Sequence, residues 1–257
     1  MDKKNNLLSI SNFMSWCVCL IPLILIFSNS IADIIVVMAS LFFIYISAKN
    51  NDWFWLKEPW VKICLITYIW LIITSFFAYN EELALSRSIS WIRFIIFAAS
   101  LQFFFLNNKK NINRLIFITL IALAYVNIEM LIEKFNGFSL YSYLREALFE
   151  SPRFLGGPHR LSGPFKDAPK SGIYLAYFIF PVALGALKII KNKLFHVPTI
   201  ILLFFTLNLY LIYESGHRAS MISIFISLTL FIIYFFWKEK KIIFFSFLII
   251  FISSFLY

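Results

Sequence analysis

The sequence predicts an all-α, polytopic transmembrane bundle of about nine helices with one long loop on its outer side. Three observations predict it. Of 257 residues, 61% are hydrophobic and only 14% charged, too little polar surface to coat a water-soluble globule of that length. The apolar residues fall in runs near the ~20 residues that a bilayer demands. The basic residues cluster in every second connection between those runs, which is the pattern that orients membrane spans. No run alternates like a barrel strand, and lipid tolerates no unpaired backbone, so the spans are helical.

Taken in order, Lys3 and Lys4 precede an apolar run over residues 11–27. A basic start, a short apolar core and small residues at 28–32 also fit a cleaved leader. The next run, 31–48, follows after a tight turn, which favours a retained helical hairpin. Further spans are expected at 62–77, 88–106, 115–133, 172–190, 198–213, 219–237 and 242–257. This divides the chain into amino-terminal spans (1–133), a loop (134–171) and carboxy-terminal spans (172–257).

Lys49, Lys57, Lys62, Lys109, Lys110, Arg114, Lys188, Lys191, Lys193, Lys238, Lys240 and Lys241 lie on the side of Lys3 and Lys4. That side is cytoplasmic by the bias of basic residues, which leaves 28–30, 80–87, 134–171 and 214–218 outside. The formal charge of +10 is spent on orientation, so a nucleic-acid partner is not expected. Cys17, Cys19 and Cys64 fall inside apolar runs, where neither a disulfide framework nor a zinc-ligand spacing fits, and are expected to pack.

The loop 134–171 is the one long polar interval. It holds four of the seven glycines and four of the eight prolines, so turns punctuate it. It is also cationic, against the orienting bias, which suggests that Arg145, Arg153, His159, Arg160, Lys166 and Lys170 have work to do there. Leu140, Leu144 and Leu148 recur every four residues beside Tyr141 and spell a short amphipathic helix. It either lies on the outer membrane surface or packs on the bundle.

Two spans separate Arg160 from Arg218, so the two arginines share the outer side. Arginine suits a diphosphate because its planar fork makes paired, charge-assisted hydrogen bonds and keeps its proton when partly desolvated. Gly163 and Gly216 let backbone approach a bulky anion. The same spacing admits a structural role, with both arginines reaching to lipid headgroups or pairing with Glu214 and Asp167. Arg93 sits within a span and needs a partner, for which Glu129 is a candidate.

The run Arg160-Leu161-Ser162-Gly163-Pro164-Phe165-Lys166-Asp167, followed by Gly172-Ile173-Tyr174-Leu175, resembles the outer-loop signature of the O-antigen ligase and polymerase superfamily. Ser215-Gly216-His217-Arg218-Ala219 resembles its second arginine motif, and Ser90-Trp91-Ile92-Arg93-Phe94 its arginine-aromatic helix start. The likeness spans roughly residues 88–237. It departs at Asp167-Ala168-Pro169-Lys170, where family members carry Asn-Pro-Asn, and at His217, where they carry a small or acidic residue.

The resemblance implies a metal-independent, inverting glycosyltransferase of the bacterial inner membrane, working on the periplasmic face without a cofactor. Its donor would be a glycan on undecaprenyl pyrophosphate. Its acceptor would be a sugar hydroxyl of lipid A core in a ligase, or the end of another lipid-linked repeat in a polymerase. Arg160 and Arg218 would bind the pyrophosphate as it leaves, with His159, Ser162, Gly163, Lys166, Asp167 and Arg93 around the substrate. The chemistry agrees: outside the membrane a glycan donor must be lipid-linked, and its leaving group needs cations. The outer carboxylates show no paired geometry for a divalent ion.

The family's general base is a histidine in a large periplasmic segment beyond these helices, and the chain stops at Tyr257 inside an apolar run, so truncation is expected. His217, His159 and Glu214 are the local substitutes, and His196 faces the cytoplasm. A lipid or polysaccharide transporter is the reading from another class. It expects spans broken by Gly or Pro near the midplane, a pattern that only Pro181 and Gly185 approach.

Overall fold

The computed structural model describes residues 2–137, 139–141, 143–144, 161–165, 170–189 and 196–239. It is all-helical, with no strand among the described residues. Four helices are long and apolar enough to cross a membrane: Ile10–Phe27, Asn29–Asn50, Glu81–Phe105 and Lys109–Asn136. The described apolar parts of the other helices are shorter, and the expected span at 242–257 lies outside the described residues.

Helices α1 (Asp2–Phe27) and α2 (Asn29–Asn50) form a hairpin. Ser28 makes the turn: its backbone is extended and its hydroxyl accepts the Ile31 N–H at 3.3 Å, satisfying a donor that the helix start leaves open. Asn51 ends α2 in the left-handed conformation at φ 51°, which asparagine tolerates better than other side-chain-bearing residues. Trp55 then tucks a short 3₁₀ turn (Phe54–Lys57) under Phe43 at 5.5 Å between ring centroids. Pro59 opens α3 (Pro59–Ser75) at a position where its missing N–H costs nothing.

Residues 80–87, expected as an outer connection, are instead mostly helical. Asn80 caps α4 (Glu81–Ser90) by accepting the Leu83 N–H at 3.2 Å, and Glu81 and Glu82 fill its first turn, where the helix dipole favours anions. After one break at Trp91, α5 (Ile92–Ser100) continues into a π turn over Leu101–Phe105, closed by the Leu106 N–H on the Leu101 carbonyl at 2.8 Å. The helices that follow are α6 (Lys109–Asn136), α7 (Lys170–Ile189), α8 (His196–Glu214) and α9 (Arg218–Glu239).

The chain divides into two units, residues 1–125 with 181–194, and residues 126–180 with 195–257. In the first, Met14, Val18, Ala39 and Phe105 make one core cluster and Phe43, Trp55, Val61, Ile95 and Ala99 another. Arg114 stacks 3.6 Å over Trp16, and eleven residues further along both helices Tyr125 meets Phe27. Helices α1 and α6 therefore run the same way. So do α2 and α5, joined at Asp33–Arg93 and again at Phe42–Phe104.

The outward faces carry Phe13, Ile66, Trp70, Phe77 and Phe117, each more than half exposed. Even the best covered of the four long spans is only 44% buried within the protein. Apolar exteriors of this extent are unfavourable against water and need no cover in hydrocarbon.

Candidate functional site

The second unit gathers the ends of α6 and α8 and the starts of α7 and α9. The last two turns of α6 supply three charged residues. Glu129 and Glu133, four apart, share a face, with Lys134 beside them. Glu129 is buried and accepts the backbone N–H of Tyr141 at 3.2 Å. Glu133 accepts the Gly163 N–H at 2.6 Å, the Ser162 N–H at 2.9 Å and the Ser162 hydroxyl at 3.0 Å. Three bonds to one carboxylate are charge-assisted and fix the segment that follows Arg160.

Gly163 needs no side chain there. Its φ is +55°, and a Cβ would lie 3.0 Å from Met130. The segment is held from its other flank by the fully buried Ser171, whose hydroxyl donates to the Leu161 carbonyl at 3.0 Å. Phe165 packs on Tyr174 at 5.6 Å, and Tyr174 on Phe178 at 4.7 Å.

From Ser171 the contact passes directly to the second motif. Any Cβ on Gly172 would collide with the Ser215 hydroxyl and sit 3.2 Å from Ser215 Cβ and 3.3 Å from His217 Cβ. Glycine is therefore what lets the first turn of α7 touch the turn between α8 and α9. Ser215 is fully buried and bonds back to the Ile212 carbonyl at 2.7 Å. The first segment, 161–165, and the second, 215–219, thus meet through Ser171 and Gly172 at one end of the unit.

His217 caps α9. Its Nδ1 accepts the Ser220 N–H at 3.2 Å and lies 2.8 Å from the Ser220 hydroxyl. An Nδ1 that accepts an amide proton carries none itself, so the ring proton of the neutral imidazole is on Nε2. The accepting lone pair of His217 is committed to the helix terminus. Arg218, the next residue, is exposed at the first position of α9 and makes no ion pair among the described residues. A cation there opposes the helix dipole, a local cost of roughly 0.3–1 kcal/mol.

Glu214 does not pair with Arg218. It holds Lys134, whose ammonium donates to Glu214 Oε1 at 2.7 Å, bonds the Tyr210 hydroxyl and lies 4.4 Å over the Tyr210 ring. Among the described residues Glu214 Oε2 has no hydrogen-bond partner. Lys134, Tyr210 and Glu133 were not among the sequence candidates. Their signal is faint: an acidic-basic pair closing an apolar helix, and a tyrosine four residues before Glu214 on α8.

Arg93 belongs to the first unit, and its partner is Asp33 at 3.1 Å, not Glu129. Its guanidinium also lies 4.8 Å over the Phe94 ring, while its Nε is buried without a hydrogen bond among the described residues. His159, Arg160, Lys166 and Asp167 lie outside the described residues, as do Arg145 and Leu148 of the expected amphipathic helix. Of that helix, Leu140, Tyr141, Tyr143 and Leu144 are helical. No cluster of three or more His, Cys, Asp or Glu suited to a metal occurs among the described residues. No known protein family, curated protein or solved structure matches this chain.

Proposed function

We propose that this chain is a multi-pass protein of a bacterial inner membrane, amino terminus in the cytoplasm. On this reading it transfers a glycan from undecaprenyl pyrophosphate to a saccharide hydroxyl at its periplasmic rim, in the manner of O-antigen ligases. The observation that carries the reading is the meeting of segments 161–165 and 215–219 through Ser171 and Gly172. It brings the described part of the first motif, 161–165, to the motif that bears Arg218.

Arg218 supports it further. Its exposed side chain, which makes no ion pair among the described residues, attracts an anion. In the proposed reaction Arg160 and Arg218 neutralise the diphosphate as the sugar departs, which stabilises charge where it develops. Glu133 holds Ser162 and the buried Gly163 in the segment that follows Arg160. The base is Glu214 through Oε2, since the lone pair of His217 is engaged by Ser220. The parallel directions of α1 with α6 and of α2 with α5 are those that alternate crossings require.

A transporter is less well supported. Pro181, its best candidate for a broken span, lies inside an uninterrupted helix. Glycan transfer in proteoliposomes from an undecaprenyl-pyrophosphate-linked donor tests the proposal. Arg160→Ala and Arg218→Ala are each expected to lose at least roughly a hundredfold in turnover. Turnover at the wild-type rate in both variants overturns it.

A further inference from the structure

Lys134 stands between the two motifs. Its neighbour Glu133 clamps Ser162 and Gly163, and its own ammonium is paired with Glu214, four residues before Arg218. Its side chain is neither buried nor free: 29% of it is exposed, against 31% for Glu214. A half-exposed lysine pair is a weak bond, and an ammonium on a flexible stem with three donors changes partners easily. Tyr210 supplies a fixed hydroxyl and ring face that keep the ammonium at the rim whichever anion it binds.

We propose that Lys134 is a switchable cation. Glu214 holds it, and a lipid-linked diphosphate draws it away to a phosphate oxygen. This rests on the glycosyl-transfer reading above. The transfer does two things at once. It adds a positive group to that of Arg218, and it leaves the Glu214 carboxylate open to the acceptor hydroxyl.

The bond from the anomeric carbon to the phosphate oxygen then breaks, its electron pair staying on the diphosphate. The acceptor hydroxyl oxygen bonds to the anomeric carbon, and its proton goes to Glu214 Oε2. Proton acceptance by Glu214 is thereby coupled to donor binding.

The test is binding of undecaprenyl diphosphate to the full chain in phosphatidylcholine nanodiscs, with inorganic pyrophosphate as competitor. Glu214→Gln removes the competing anion and is expected to tighten binding roughly fivefold, the strength of a half-exposed ion pair, while abolishing transfer. Lys134→Met is expected to weaken binding by at least the same factor, and Lys134→Arg, which keeps charge and fold, to bind within about twofold of wild type. Pyrophosphate is expected to displace the lipid.

Weakening by both Glu214→Gln and Lys134→Met, in proportion to lost thermal stability, marks a merely structural pair and overturns the inference. So does unaltered affinity in Lys134→Met, which leaves the glycosyl-transfer reading intact. Failure of pyrophosphate to compete, showing capture of the lipid tail alone, overturns it too. A wild-type chain that binds no undecaprenyl diphosphate sinks both.

Discussion

The Glu133 carboxylate accepts the Gly163 N–H at 2.6 Å, across thirty residues of sequence, and with Ser162 it ties the end of α6 to the segment after Arg160. Charge is what makes three donors on one side chain favourable. Glu133→Gln is expected to lose about 1–3 kcal/mol, because a neutral amide presents one acceptor and a mismatched donor. Thermal unfolding in detergent measures that loss. The transfer assay is expected to fall by more than the folded fraction does.

Gly172→Ala drives a methyl group into the Ser215 hydroxyl. Overpacking of this kind costs about 1–3 kcal/mol. Adding Ser215→Gly, which removes the obstructing side chain, is expected to recover most of the loss. A double-mutant cycle showing additive effects contradicts the contact between the start of α7 and the turn before α9.

Asp33 and Arg93 pair across sixty residues. Asp33→Asn and Arg93→Gln are each expected to destabilise the first unit by at most about 1 kcal/mol, the range of an incompletely buried pair. The two together are expected to cost less than the sum. Chemical denaturation of the single and double variants reads this out, and full additivity denies the pair.

Asn127 is 2% exposed, and neither its amide nitrogen nor its oxygen has a hydrogen-bond partner among the described residues. Removing an unsatisfied buried amide in favour of a shape-matched apolar group is neutral or favourable. Asn127→Leu is expected to leave the melting temperature unchanged or raise it. A drop of several degrees shows that the amide has an essential partner.

These relationships mark the limit of what the sequence discloses. The described helices are legible because apolar runs of bilayer length leave the backbone no other option, although the expected bounds 31–48 and 62–77 miss those of α2 and α3 by two or three residues. The connection at 80–87 is harder, since its polar residues suggest a loop. The deciding signal is local: Asn80 followed by Glu81 and Glu82 is a helix start, and it outweighs low hydropathy.

Partners of charged groups are not legible at all. Glu129 and Asp33 are equally acidic in sequence, and only the parallel packing of α2 on α5 gives Arg93 to Asp33. The same holds for Glu214. Arg218 is four residues away and Lys134 eighty, yet Lys134 has it, because α6 and α8 end together. Gly172 is legible as a span start, but its role at the turn of Ser215 and His217 requires the packed structure.

On the proposed reading the two arginine-bearing segments share one water-facing rim. Labelling of single cysteines by a membrane-impermeant maleimide in intact cells tests it most directly, in a background where Cys17, Cys19 and Cys64 are replaced by alanine. Ser162→Cys and Arg218→Cys are both expected to react from outside. Labelling of one from outside and of the other only after the cytoplasmic face is opened contradicts the account.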